Sequence, residues 1–388
     1  MRICHLTPHL PPDQAANALL PAHLGAWALA RGDEAVFVAH PPRQSATGPG
    51  SAAFATAAHW VAAPSRGNPV ARALKLPALA GAVRIARVAW AAIRSADLVH
   101  VHSNGLIAEV GALLARRAGR PYVLTLYGTE IWHYGRRRSW PDLFTRAYRH
   151  AAIVTFYSHG LREHAVGLGL DRPGLEVIYP PVADEFQFRD TAGRDASRAL
   201  LALDAPRLLV NVKRLHPLAG QRHLIDAMPA IVAAHPGCRL VICGTGPLHG
   251  ELAALADRLD VSGSVTFAGL VDNATVAAID MAADVFVLPS LLEACPTVAL
   301  EALACGTPVI SADNPGGLEL ARLFGEDVRV VPREDPAALA AAVIAALDER
   351  RRVRPDTTSR IERELRAPAI ANEYYRVYHQ ALDVAGGW

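Results

Sequence analysis

Lysine is nearly absent from this chain: of its 39 basic residues only Lys75 and Lys213 are lysine, and the rest are arginine. With abundant alanine, that bias points to a GC-rich genome more than to a function. Charge of one sign is missing too, since 39 basic against 37 acidic residues leave a net charge of +2. Composition therefore gives no case for a nucleic-acid partner. Cysteine is sparse: Cys4, Cys238, Cys243, Cys295 and Cys305 form no CxxC pair and no metal-ligand spacing. They read as reduced thiols, not as a disulfide framework or a zinc site. The opening residues, MRICHLTPHLPP, lack the charged-then-apolar order of a secretion signal, and no run approaches the roughly 20 apolar residues of a membrane span. The expectation is a cytoplasmic protein. At 388 residues, with 51% hydrophobic and 20% charged, the chain is globular and too long for one ordinary core, so two domains are expected.

The stretch that organises the rest is 282–309, AADVFVLPSLLEACPTVALEALACGTPV. Residues 284–288 form a continuous apolar run with β-branched members, the pattern of a buried parallel strand. Pro289-Ser290 stops it, a loop carries Glu293, and Pro296 opens a helix whose first amides have no partner. Gly306 and Pro308 end that helix and Val309-Ile310 begins the next strand. A helix start offers free N–H groups and a positive dipole end, here from about Cys295, Pro296, Thr297 and Val298, which suits a phosphate. Glu301 lies four residues after Thr297 on the same face, within reach of a sugar hydroxyl. Glu293 stands in front of the helix. A phosphate between two hydroxylated pieces, each met by a carboxylate, describes a nucleotide sugar.

Upstream, residues 1–7 read as a first strand, 20–31 as an amphipathic helix closed by Gly32, and 35–39 as a second strand. That order begins a doubly wound α/β domain, with its site at the carboxyl ends of strands. Asn17, in the first loop, is a polar contact candidate. Residues 44–66 read as a loop and 71–94 as a helix. Arg84, Arg87 and Arg94 share a face of that helix. An exposed arginine face is the preferred reading, and weak peripheral contact with an anionic inner membrane face the alternative. Strands at 98–102 and 122–126 follow, then one at 153–157. His102 ends the first of these, as a site residue or a satisfied buried histidine. Tyr127, Glu130, Trp132, His133, Tyr134 and Arg136 to Arg138 follow the second, lining an acceptor cleft or capping a surface loop.

In the second half, 208–212 is a strand that ends in Lys213-Arg214-Leu215. Residues 239–242 lead into Cys243-Gly244-Thr245-Gly246-Pro247, a GxG placed between strand and helix. Residues 265–267 form another strand before Gly269, and 335–347 a late helix. A last helix, 360–382, carries Tyr374, Tyr375 and Tyr378, read as packing.

Glu293 and Glu301 eight apart, the strand and Pro-Ser before them, EALACGTPV behind, and NPGGLE at 314–319 together resemble the retaining glycosyltransferases of family 4. The resemblance is strong over 208–346 and looser before. It implies the GT-B fold: an α/β protein of two doubly wound Rossmann-like domains facing across a cleft, with the C-terminal helix crossing back. The implied domains are 1–190 for the acceptor, 191–365 for the nucleotide-sugar donor, and 366–388 as the closing helix. It also implies Glu293 and Arg214 as catalytic residues. Arg214 would meet the pyrophosphate, helped by Gly244, Gly246, Gly269 and the helix start from Cys295 to Val298. Glu301 would hold the donor. Acceptor contacts fall on Asn17, Glu130 and Trp132.

Three departures from the family pattern stand out. The glycine pair of the first loop is replaced by Gln14-Ala15-Ala16-Asn17. The histidine after the strand at 122–126 is replaced by Tyr127, whose catalytic part Tyr127 or His102 would share. The lysine of the pyrophosphate site is replaced by Ala219, with Lys213, Gln221 or Arg222 as candidate substitutes. The implied reaction moves a sugar from a nucleoside diphosphate sugar, as co-substrate, to an acceptor hydroxyl on a lipid, polysaccharide or small natural product. No Asp-x-Asp occurs, so no metal or other cofactor is expected. The alternatives are a sugar phosphorylase or nucleotide-sugar epimerase on the same fold, or a non-catalytic carbohydrate- or partner-binding protein.

Overall fold

Burial on both faces dictates the sequence of β1 (Arg2–Thr7): all of Ile3 to Thr7 is buried, as a central parallel strand must be. In the computed structural model, which describes residues 1–13, 16–42, 58–63, 76–135, 142–201 and 205–386, most strands are followed by a helix. The chain forms two compact units, Met1–Ile178 with Ala371–Trp388, and Tyr179–Ile370. The first break falls before residue 190 because the segment beyond Tyr179 is tied to the second unit. Val182 N–H donates to the Leu365 carbonyl and Arg189 N–H to that of Cys305.

In the first unit α1 (Ala16–Ala30), β2 (Glu34–Ala39), β3 (Ala58–Trp60), α2 (Leu76–Ser95) and β4 (Leu98–His102) follow β1. Next come α3 (Leu106–Arg117), β5 (Tyr122–Leu126), α4 (Thr129–Trp132), α5 (Leu143–His150), β6 (Ile153–Phe156), α6 (His159–Gly167) and β7 (Leu175–Val177). The seven strands are parallel in the order β3-β2-β1-β4-β5-β6-β7. Short β3 lies inside the stretch read as a loop at 44–66; three residues at a sheet edge are too few to show a period. The rest of that stretch up to residue 57 and after 63, the first residues of the helix read at 71–94, Gln14-Ala15 and Arg136 to Arg138 lie outside the described residues. Helix α2 is long and apolar enough by composition to cross a bilayer, contrary to the reading that no such run exists. It buries Ile85, Ala89 and Ile93 in the unit and leaves Leu79, Val83, Arg84, Arg87 and Arg94 exposed.

The second unit runs through α7 (Thr191–Leu200), β8 (Arg207–Val212), α8 (Gln221–Ala234), β9 (Cys238–Cys243), α9 (His249–Arg258), β10 (Val265–Gly269), α10 (Asn273–Ala282) and β11 (Val285–Leu288). It continues with α11 (Thr297–Ala304), β12 (Val309–Ala312), α12 (Pro315–Phe324), β13 (Val328–Val331), α13 (Pro336–Glu349) and α14 (Pro355–Arg360). Its six parallel strands are ordered β10-β9-β8-β11-β12-β13, so both sheets wind outward in two directions from a central pair. Asp284 anchors the amino edge: its carboxylate accepts from Leu208 N–H at 2.8 Å and from buried Arg194 at 2.9 Å. The last helix is not continuous over 360–382. A π turn at Ile361–Leu365 ends α14, Arg366 is extended and bridges to Val182, and α15 (Ala367–Gly386) starts afresh. Pro368 in the first turn of α15 has no N–H to carry the earlier helix through.

In the first unit α15 sends Tyr378 into the sheet, where its hydroxyl shares a 2.8 Å hydrogen bond with His100 Nδ1. His100 Nε2 meets Thr125 Oγ1 at 2.7 Å, and His102 Nε2 meets His5 Nδ1 at 3.1 Å. Burial pushes His5 down to about 3 and His100 and His102 well below the usual histidine range, so all three are neutral. An unfolded chain binds protons at these rings below about pH 6.5, the folded one does not, and stability falls as pH drops through that value. Urea unfolding of a His5→Phe variant should show a loss of about 1–3 kcal/mol at pH 7.5, from an orphaned His102 nitrogen. The gap to wild type should narrow by about 1 kcal/mol at pH 5.5; a constant gap would show that His5 is not held neutral.

Candidate active site

The winding of the second sheet reverses between β8 and β11, and a crevice opens at the carboxyl ends of such a pair. Residues 213–215 leave β8 there and residues 289–296 leave β11. The first segment is fixed by backbone contact: Lys213 N–H donates to the Cys243 carbonyl at 2.9 Å and Leu215 N–H to that of Thr245 at 3.0 Å. Gly244 makes this approach feasible, since a Cβ on it would stand 2.1 Å from the Lys213 carbonyl oxygen. A Cβ on Gly246 would meet the Leu215 carbonyl at the same distance. The GxG therefore works by letting two loops touch, and its Cα faces are occupied by protein. Gly269, whose carbonyl accepts from Gly244 N–H at 2.7 Å, completes that contact.

The second segment is pinned from three directions. Leu291 N–H donates to the Leu218 carbonyl at 2.8 Å, the Asn314 amide to that of Ser290 at 2.7 Å, and Gly316 N–H to that of Glu293 at 2.9 Å. Pro296 caps α11 without a side-chain acceptor, so the amides of Thr297 and Val298 at its start have no partner in the helix. Cys295 beside them is buried, and burial, with Glu319 and Glu293, pushes its thiol far up, which makes it a packing group and not a nucleophile.

Two cations converge on this end. Lys213 Nζ lies 2.6 Å from Glu293 Oε1. Arg214 is exposed, and its guanidinium has no ion pair among the described residues. Ala219 is buried in a short turn. Gln221 is buried with its amide turned to the carbonyls of Lys213 and Arg214 at 3.4 and 3.3 Å, and Arg222 faces Asp226 and Glu251. Neither stands free for an anion. Glu301, one turn into α11, is partly buried, and burial together with Glu185 pushes its carboxyl up to about 7. Asp280 of α10 lies deeper, with neither carboxylate oxygen bonded among the described residues, and burial, with Glu301 nearby, pushes its carboxyl well above the usual carboxylate range.

In the first unit the expected residues fall less openly. His102 is fully buried, one nitrogen on His5 and the other 2.8 Å from the Tyr127 hydroxyl. That bond turns the Tyr127 hydroxyl into the sheet, so this pair supports the strand end and offers no free group to a sugar. Glu130 is likewise committed: Oε1 accepts from Ser103, and Oε2 from Gly128 N–H at 2.8 Å and Tyr127 N–H at 3.2 Å. It clamps the loop after β5 and is not a free acceptor contact. Trp132 is half-buried against His164, with ring centroids 4.6 Å apart. Asn17 uses its carbonyl to accept from Thr7 Oγ1, because Pro21 four residues on has no N–H to give it. Its side chain remains half exposed at the carboxyl end of β1. Near it, His9 Nδ1 lies 2.9 Å from Asp13 Oδ2, a pair that the sequence reading missed; its signal was the i, i+4 spacing in a proline-rich loop. Among the described residues one cluster has metal-like spacing, His5, His100 and His102. Its nitrogens serve the buried network already described.

The comparisons agree with this geometry. A family model for group 1 glycosyl transferases matches residues 194–363, and one for the glycosyl transferase 4-like domain matches 21–181. An uncharacterised glycosyltransferase of Methanocaldococcus jannaschii is 28% identical over 303 residues, 75% of this chain and 77% of its own length. The glycogen synthase of Mycobacterium tuberculosis is 33% identical over 258 residues, 65% of this chain but only 60% of its own length. Among solved structures, Anabaena HepE in complex with UDP superposes with a TM-score of 0.75 at 19% identity, covering 98% of this chain and all of that one. Two doubly wound units, each matched by its own family model, place the chain among the family 4 glycosyltransferases of GT-B fold.

Proposed function

We propose that this chain is a retaining glycosyltransferase that moves a sugar from a nucleoside diphosphate sugar to an acceptor hydroxyl. The observation that carries the reading is the convergence, at the β8/β11 switch point, of Glu293, two cations and an uncapped helix start. The diphosphate would lie at the start of α11, where Thr297 and Val298 amides and Arg214 meet its oxygens. Glu301 would accept from a ribose hydroxyl and Glu293 from a hydroxyl of the transferred sugar.

In the proposed step the bond from the anomeric carbon to the phosphate oxygen breaks while the acceptor oxygen bonds that carbon from the same face. The acceptor proton passes to the phosphate oxygen that leaves. Charge builds on the diphosphate as that bond lengthens, so fixed cations and amide dipoles there act on rate. This division of labour needs no metal, in keeping with a sequence that has no Asp-x-Asp. The UDP complex of the HepE neighbour supports a nucleotide donor. Lipid, polysaccharide and small-molecule acceptors are all compatible with the half-exposed groups at the end of β1.

A panel of UDP-, GDP- and ADP-sugars read by thermal shift should single out one donor, with stabilisation near 2.7 kcal/mol at a hundred times its dissociation constant. Turnover with that donor should survive EDTA; activity lost to EDTA and restored by magnesium would overturn the metal-free part. Arg214→Ala should lower kcat by about 10²-fold or more, the scale of losing one oxyanion donor, and Glu293→Ala should act mainly on kcat as well. Because Glu301 ionises near 7, the free nucleoside diphosphate should bind more tightly at pH 8 than at pH 6. A Glu301→Gln variant should bind more weakly at pH 8 and lose that slope. An unchanged slope in the variant would remove Glu301 from the site.

A further inference from the structure

Lys213 is one of only two lysines in the chain, and it holds Glu293 at 2.6 Å. We propose that this ion pair is a resting state which the donor's diphosphate takes apart: the ammonium passes to the phosphate, and the carboxylate is released to the sugar. The inference rests on the glycosyl-transfer reading and adds to it an ordered exchange of partners within the same site.

Four observations carry it. The backbone of Lys213 is fixed by Cys243, Gln221 and Gly244, so any movement belongs to the flexible four-carbon stem alone. The pair is open on the lysine side: the Lys213 side chain is 31% exposed against 12% for Glu293, so the ammonium can leave through solvent while the carboxylate stays in place. A diphosphate offers more charge than one carboxylate, beside a helix start whose amides already favour an anion. Beside Arg214, which supplies one charge, Lys213 is the cation placed at this end among the described residues to supply a second, since Gln221 is buried on backbone carbonyls, Arg222 faces Asp226 and Glu251, and Ala219 has no charge.

The exchange solves an electrostatic conflict. Glu293 stands in front of the helix start that is to receive an anion, and two negative groups there repel. At rest the lysine neutralises the carboxylate. With donor present the same lysine neutralises the phosphate, and the carboxylate gains the sugar's hydroxyls as partners. Phosphate arrival and readiness of the sugar-binding carboxylate become one event. A nucleoside without phosphate, or a free sugar, does not trigger it.

The composition of the chain makes this directly observable. Reductive methylation with ¹³C-formaldehyde keeps the lysine charge and gives only two lysine signals, from Lys75 and Lys213, assigned with Lys75→Arg and Lys213→Arg variants. UDP, GDP, ADP, inorganic pyrophosphate and uridine are the probes, with binding measured separately by calorimetry. The Lys213 signal should move with the nucleoside diphosphate that binds and with pyrophosphate, while uridine leaves it in place and Lys75 does not respond. Glu293→Gln should shift the Lys213 signal in the free protein. Lys213→Met should weaken diphosphate binding by about tenfold and Lys213→Arg by no more than about threefold. Diphosphate binding with an unmoved Lys213 signal overturns the exchange and leaves glycosyl transfer standing. If no nucleoside diphosphate binds, the glycosyl-transfer reading falls and the exchange with it.

Discussion

A parallel strand cannot turn directly into its neighbour; the chain must cross the sheet through a helix, and each crossing covers one face. When successive strands are added first on one side and then on the other, the two central strands send their following segments to opposite faces. Between them an edge of the sheet stays uncovered. In the second unit these strands are β8 and β11, and every group given a part in the chemistry leaves one or the other. Lys213 and Arg214 come directly off β8; Glu293, the uncapped amides and Glu301 come off β11 and its helix. The site is thus a product of winding order before it is a product of side chains.

What the winding opens, backbone contact then makes rigid. The two loops at that edge owe their positions to carbonyl and amide groups more than to side-chain packing, and Gly244 and Gly246 matter because they add nothing between them. A charged side chain on a loose loop would lose entropy each time it met a ligand. Here the backbone contacts leave the side chains of Lys213, Arg214 and Glu293 as the groups to be ordered by a ligand. The rigid frame around mobile tips lets one ammonium serve two partners without the loop itself moving.

Much of this was legible in the sequence, for identifiable reasons. Buried parallel strands are continuous apolar runs, so β4, β5, β8 and β11 were readable to within a residue or two. Edge strand β3, with three residues, and the interruption at Arg366 were not, because each is decided by a neighbour distant in sequence: β2 in one case and Val182 in the other. The same division runs through the site. The helix start and the two glutamates follow from local spacing, whereas the fates of His102, Tyr127 and Glu130 depend on which way a side chain turns at a strand end. His102 turned inward, taking the Tyr127 hydroxyl with it. Position along a strand fixes depth in the sheet, but spacing alone does not say which groups satisfy each other there.

The five cysteines, all buried and free, have a consequence for handling the molecule. Burial keeps their thiols protonated, and a protonated, inaccessible thiol reacts slowly with alkylating reagents and peroxide alike. Cys4 belongs to one unit and Cys238, Cys243, Cys295 and Cys305 to the other. Labelling by a thiol reagent therefore waits for local or global opening. Resolved by peptide, its rate becomes a clock for each unit separately, read from the natural sequence without any engineered probe.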